Sequence, residues 1–264
     1  HDASLYGSVL LSSIIGKRFS YPKSVYSEYD TIRFFVANKP DALVVDFFAG
    51  SGTTLHAVNL INAEDRGHRR CILITNNEVS DDEAKELSKQ GHTPGDAEWE
   101  KLGIAQYVTW PRTTCSIKGI DIKGKPLKGN YLISEKPMSD GFSANATFFK
   151  LGFLDKTSVA LGRQLEKMLP VLWLKAGAYS RCPLIQDIKE SMVVLPENRF
   201  AILVDEKCFL EFDEEVKRHP EIQTIYVVTD SAAGYREMIA GYGDKNTFQL
   251  YRDYLDNFRI NTGR

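Results

Sequence analysis

Apolar positions in this chain alternate between strand-like runs and helix-spaced sets, the pattern of an α/β protein. After Tyr21 and Pro22, residues 23–38 put Val25, Ile32, Phe35 and Val36 on roughly one face at helical spacing. Pro22 fixes the backbone just ahead of that helix. Residues 41–47 form a short, nearly continuous apolar run, which predicts a strand covered on both faces. A Gly-rich turn over 49–52 leads into a helix expected over about 53–63, and residues 70–75 predict a second buried strand. Together they make a βαβ unit of about 33 residues, an ordinary size for this motif. Residues 81–90 read as a charged, exposed helix, and 104–110 as a third strand.

From 111 to 150 the character changes, with frequent Thr, Ser, Lys and Gly and poor helical periodicity. The stretch GIDIKGKPLKGN, within 116–130, reads as turns or a hairpin. A domain transition is therefore expected here, dividing the chain into 1–112 and a smaller α/β accessory domain over 113–264. In the second part a helix is expected near 157–172, carrying Val159, Leu165, Met168, Leu169 and Leu172 on one face. Residues 200–204 and 224–228 predict two buried strands joined by an acidic helix over 207–218, a second βαβ-like unit. Residues 247–258 predict a closing helix marked by Leu250, Tyr251, Tyr254, Leu255 and Phe258.

Composition adds constraints. With 264 residues and 43% hydrophobic content, the chain can bury one large core or two modest ones. Its 33 basic and 35 acidic residues give a net charge of -2, so no overall basic excess advertises nucleic acid, although a local face would not show in that sum. No apolar run approaches the ~20 residues of a membrane span, and no signal peptide opens the chain. Cys71, Cys115, Cys182 and Cys208 are scattered, without a CxxC pair or a histidine cluster. They read as thiols of a reducing cytoplasm, and no metal site is expected. The first residue is His1, so a piece of a longer protein is expected.

The chemistry concentrates in Asp46-Phe47-Phe48-Ala49-Gly50-Ser51-Gly52-Thr53-Thr54. Two glycines one residue apart permit a tight strand-to-helix turn and close backbone approach to a ligand. Asp46 ends the strand at its carboxyl edge, where open α/β sheets bind ligands. A carboxylate there suits an amine or cation and repels a pyrophosphate. Leu55 stands where a dinucleotide fingerprint needs its third glycine, and Thr53 stands where a phosphate loop needs lysine. A nicotinamide-dependent oxidoreductase is thus disfavoured.

This string resembles the cofactor motif of amino-group DNA methyltransferases, in which D-x-F-x-G-S/T-G-T-T is common. Upstream, Phe19, Pro22, Lys23 and Ser24 are similar to the F-x-x-P-K-P/S segment that precedes the first cofactor strand. Downstream, Asn76 and Glu78 follow the second strand, where the family places an acid for the ribose hydroxyls. Here the strand ends in Asn76-Asn77, so Glu78 or an asparagine takes that position. The resemblance covers residues 16–80. It implies a partial Rossmann-like sheet and S-adenosylmethionine as cofactor, with the methionine end against Ala49, Gly50, Ser51, Gly52 and Thr53.

The family's D/N-P-P-Y/F/W motif, which holds the target amine and stacks on the flipped base, is absent from the sequence. No catalytic residue is therefore assigned. In a permuted class that includes the adenine enzymes of type III restriction-modification systems, that motif and the target-recognition region precede the cofactor segments. The resemblance implies an adenine-N6 DNA methyltransferase piece, inactive alone, with DNA and a restriction subunit as partners of the intact protein. The alternative is a non-catalytic assembly or nucleic-acid-holding module on the same fold. Elsewhere, Asp205 and Asp230 follow the second pair of strands and read best as helix caps. His56 reads as a packed or solvent-edge histidine. Trp110-Pro111-Arg112 with Lys118, Lys123, Lys125 and Lys128 form a modest basic segment that fits a solvated loop better than a phosphate track.

Overall fold

The computed structural model describes residues 2–133, 135–151, 164–184 and 191–250. The chain divides into two compact units, His1–Lys150 and Leu151–Arg264.

In the first unit, α1 (Leu10–Ile15) continues a wide-turned segment, Ser4–Val9, and α2 (Val25–Val36) follows. Strand β1 (Leu43–Asp46) runs parallel to β2 (Arg70–Leu73), with α3 (Thr53–Asp65) as the crossover. Then come α4 (Asp81–Lys89), α5 (Ala97–Lys101) and α6 (Trp110–Lys118). Ser80 caps α4 by accepting from the Glu83 N–H, and three acids occupy the first turn, where the helix dipole favours them. The core joins Leu11, Ile14, Ile15, Tyr26 and Tyr29 to Val58 and Ile61 of α3 and Val108. Arg69 is buried and ties the helices to the sheet. Its Nε and Nη2 donate to the Val36 carbonyl at 3.1 and 2.9 Å, and Nη2 pairs with Asp65 at 2.8 Å.

Several expectations change in this unit. The βαβ unit is present, but its sheet is covered on one face only among the described residues. Val44 and Cys71 face the core, while Leu43, Val45 and Ile72 are 49%, 42% and 47% exposed. The third strand expected at 104–110 is helical: Ala105–Thr109 is a π-helical segment running into α6. Ile104 and Val108 lie four residues apart and pack on the same core, a spacing that a short apolar run disguises. The domain transition expected after residue 112 falls inside α6. Leu127, Tyr131 and Phe142 are buried in the first unit's core, so the turn-rich stretch to residue 150 belongs with it. Within that stretch Ile120 and Pro126 form an isolated antiparallel bridge, and the Asp121 carboxylate accepts from the Lys123 and Lys125 N–H groups.

The second unit contains α7 (Gln164–Lys175), β3 (Met192–Leu195), β4 (Phe200–Leu203), α8 (Phe209–Arg218), β5 (Thr224–Val228), α9 (Ala232–Ile239) and β6 (Asn246–Leu250). The sheet order is β3-β4-β5-β6, antiparallel at the first pair and parallel at the next two. Alternation along the strands serves two cores. Ala201, Leu203, Ile225 and Val227 meet Phe212 and Val216 of α8, while Phe200, Ile202, Tyr226 and Val228 meet Leu169, Leu172 and Trp173 of α7. The βαβ expected over 200–228 is present. The closing helix expected at 247–258 is replaced, over Asn246–Leu250, by strand β6; its remainder lies outside the described residues, as does 157–163 of the helix expected at 157–172. Thr247, Phe248 and Leu250 hold their places by pairing with β5, an interaction that local periodicity does not report.

Candidate ligand site at the first βαβ turn

The turn from Asp46 to Thr54 sits at the carboxyl end of β1, beside the end of β2. The Ile74 N–H donates to the Asp46 carbonyl at 2.8 Å, and the Ala49 N–H donates back to Ile74 at 3.1 Å. Gly50 and Gly52 adopt φ of +48° and +76°, a region that side-chain-bearing residues enter at a cost of about 1–2 kcal/mol. A Cβ on Gly52 would also stand 3.1 Å from the Thr109 methyl. Gly52 initiates α3, so the first N–H groups of that helix open at the turn.

Asp46 holds the turn together. Its Oδ1 accepts from the Phe48 N–H at 2.9 Å and its Oδ2 from the Thr54 hydroxyl at 2.5 Å. The sequence pointed to Asp46 as a ligand's partner; in the fold both oxygens first fix the loop, leaving lone pairs for a further donor. Ala49, Ser51, Gly52 and Thr53 are buried, whereas the Phe48 ring is 90% exposed at the apex.

The Phe19–Ser24 segment lies against this turn. The Phe19 ring comes within 4.0 Å of the position a Gly50 Cβ would take. Pro22 is buried. Lys23 pairs with Glu28 at 3.0 Å, and the Glu28 bond and charge, with a smaller contribution from Asp46, hold its amine above the ordinary lysine value. Ser24 precedes α2 without capping it, and its buried hydroxyl has no partner among the described residues, an orphan donor beside a candidate ligand site.

Beyond β2, Asn77 is occupied. Its amide donates to the Glu100 carbonyl at 2.8 Å, and its oxygen accepts from the Gln106 N–H at 3.3 Å. The Asn76 and Glu78 side chains are exposed and bonded to each other at 3.3 Å, so both can turn to a ligand. The fold thereby separates the three consecutive polar residues: Asn77 is structural, while its neighbours face outward.

Sequence reasoning missed Thr109, and it placed Arg112 in a solvated basic segment, whereas the fold buries it. The Thr109 hydroxyl donates to the Gly50 carbonyl at 2.6 Å. Arg112, only 1% exposed, bonds the backs of Ser51 and Thr53. Both lie some 60 positions along the chain from the glycine turn, and no local motif marks them. Of the packed and solvent-edge readings of His56 the fold selects the packed one: it is enclosed, with Nε2 2.8 Å from the Tyr131 hydroxyl. Burial, with the nearby Arg112 charge, pushes its pKa well below the usual histidine value. Of the two acids read as caps, Asp205 is one, accepting from the Lys207 N–H, whereas the helix after Asp230 is capped by Ser231.

A parallel βαβ unit with a glycine turn held by an acid at the carboxyl edge is the place where open α/β sheets bind ligands. The relatives of this chain narrow the class: they are methyltransferases of type II and type III restriction-modification systems. The type II methyltransferase M.KpnI of Klebsiella pneumoniae is 43% identical over 81 residues, which is 29% of this chain. The Mod subunit of the type III enzyme EcoPI, from Escherichia phage P1, is 44% identical over 70 residues, or 26% of the chain. The Mod subunit of the type III enzyme StyLTI, from Salmonella typhimurium, is 26% identical over 223 residues, or 74% of the chain. The matches span 19%, 10% and 33% of those relatives' lengths, respectively. No family model matches the chain.

Proposed function

We propose that this chain carries the S-adenosylmethionine-binding part of a DNA adenine-N6 methyltransferase of the type III restriction-modification kind. The observation that carries this reading is the Asp46–Thr54 turn. It lies at the carboxyl edge of a parallel βαβ pair, with Phe19 packed on Gly50 and Asn76 and Glu78 exposed beyond β2. When bound, the cofactor supplies an electrophilic methyl group on a sulfonium centre. Ala49, Gly50, Ser51, Gly52 and Thr53 would form the wall against its methionine end, with Phe19, Pro22, Lys23 and Ser24 on the adjoining side. Asn76 or Glu78 would accept from the ribose hydroxyls, and the unpartnered Ser24 hydroxyl fits a site that awaits a polar group.

Two features support a part rather than a whole. The sequence contains no D/N-P-P-aromatic motif. The face of Leu43, Val45 and Ile72 is uncovered, although parallel sheets are stable when covered on both sides. In the intact protein this reading makes DNA the substrate and a restriction subunit a partner, with the partial sheet belonging to a Rossmann-like methyltransferase domain in the cytoplasm. No helix among the described residues is long and apolar enough to cross a membrane.

Titration calorimetry of the folded chain with S-adenosylmethionine tests the reading. Binding is expected with S-adenosylmethionine and not with NAD, because Asp46 opposes a pyrophosphate. Silence with S-adenosylmethionine from a folded sample would defeat the proposal in favour of a non-catalytic module.

A further inference from the structure

Behind the glycine turn lies a buried cation that neither the sequence motifs nor the proposed cofactor contacts explain. Arg112 Nη1 donates to the Thr53 hydroxyl at 2.7 Å, the Ser51 hydroxyl at 3.0 Å and the Ser51 carbonyl at 3.3 Å. Its Nε and Nη2 are buried with no hydrogen-bond partner among the described residues. No carboxylate among them neutralises it, and burial pushes its pKa down to about 10. Keeping an unneutralised guanidinium dry is costly, and an apolar side chain of similar volume would serve packing at least as well. The cost is met at one place: a single guanidinium nitrogen, Nη1, joins three oxygens of Ser51 and Thr53 in the turn. One helical turn earlier, Thr109 fixes the Gly50 carbonyl at 2.6 Å. The restraint is needed because Gly50 and Gly52, both at positive φ, leave this backbone more freedom than any other residue type would.

We propose that Arg112 is a positioning residue, locking from α6 the conformation of Ser51–Thr53 against which the ligand binds. The ligand's identity rests on the function proposed above; the locking itself does not. Arg112 touches the inner side of the turn through Ser51 and Thr53, so its influence on a ligand passes through the backbone it holds. Lysine is a poor replacement, since its compact, strongly hydrated ammonium costs more to bury than the delocalised guanidinium.

The test uses the whole 264-residue chain with Arg112→Met, which keeps bulk and removes the charge, and Arg112→Lys, which keeps the charge on a shorter, more strongly hydrated group. Three quantities are read: thermal midpoint, hydrogen-exchange protection of the amides at 50–54, and S-adenosylmethionine affinity by calorimetry. For Arg112→Met the midpoint should stay near that of the parent, while turn protection falls about tenfold and strand protection in β1 and β5 is unchanged. Affinity should weaken about tenfold, with Arg112→Lys failing to restore it. Parent-like turn protection and affinity in a folded Arg112→Met chain would overturn the proposal, as would full rescue by lysine. Should Arg112→Met not fold, the double variant Ser51→Ala and Thr53→Val removes two of the same contacts from the other side. Turn protection must then drop in the same way, and its retention overturns the proposal. If the parent shows no cofactor binding but turn protection still depends on Arg112, the cofactor reading fails and the locking role stands.

Discussion

The two βαβ units of this molecule share a plan and differ in what surrounds it. In the second, β4 and β5 are buried along their whole length, with α8 on one face and α7 on the other. Their ends are closed by local caps: Asp205 accepts from Lys207, and Ser231 from Gly234. In the first, β1 and β2 bury one face only, and the strand passes into a turn with two left-handed glycines braced from α6. The Asp205 and Ser231 caps take up backbone N–H groups after β4 and β5, whereas a helix that starts at a glycine without a side-chain cap leaves such donors open. The contrast teaches that the proposed ligand site rests on the turn and its brace, whereas the βαβ plan alone implies nothing about binding.

The sharpest way to break this contrast is a matched pair of truncations. Ile225→Ala, in the doubly covered sheet, should cost about 2–5 kcal/mol, and Ile72→Ala, on the bare face, under about 1 kcal/mol by denaturant unfolding. Equal effects would mean that the first sheet is covered after all. Next in size is Asp46→Ala, which strips the acceptor from the Phe48 N–H and the Thr54 hydroxyl. A loss of about 1.5–3 kcal/mol is expected, together with loss of S-adenosylmethionine binding in calorimetry.

The pH response follows. His56 is depressed in the fold, so the unfolded chain binds its proton more readily and acid favours unfolding. Stability should fall as pH drops below about 6.5, by up to about 1.4 kcal/mol per unit, until the depressed folded pKa is reached. Chemical denaturation across that range checks it, and in His56→Gln the His56 contribution should vanish. Smallest is Asp205→Ala in the second unit, about 1 kcal/mol from a lost cap with cofactor affinity untouched. Any change in that affinity would argue against confining the ligand to the first unit.

Much of the fold was legible where a segment reports its own environment. Residues 41–47 and 70–75 read as strands because their apolar runs are short and bounded by turns, and they pair in parallel as expected. The glycine turn was legible because positive φ leaves a residue-type trace. What failed were segments whose state is set by distant partners. Residues 104–110 carry an apolar run that suits strand or helix, and packing on the first core selects helix. Residues 247–250 carry helical spacing, yet five backbone pairings to β5 make Asn246–Leu250 a strand.

By itself, then, the sequence determined the α/β class, the first βαβ unit and the turn from Asp46 to Thr54, because periodicity and glycine placement are local properties. Tertiary structure alone decided that the first sheet is bare on one face and that the first unit runs to residue 150. It alone spent Asn77 on structure while leaving Asn76 and Glu78 exposed, and brought Thr109 and Arg112 behind the turn. Those outcomes depend on contacts between residues tens of positions apart, and a buried cation's worth is set by the oxygens it reaches.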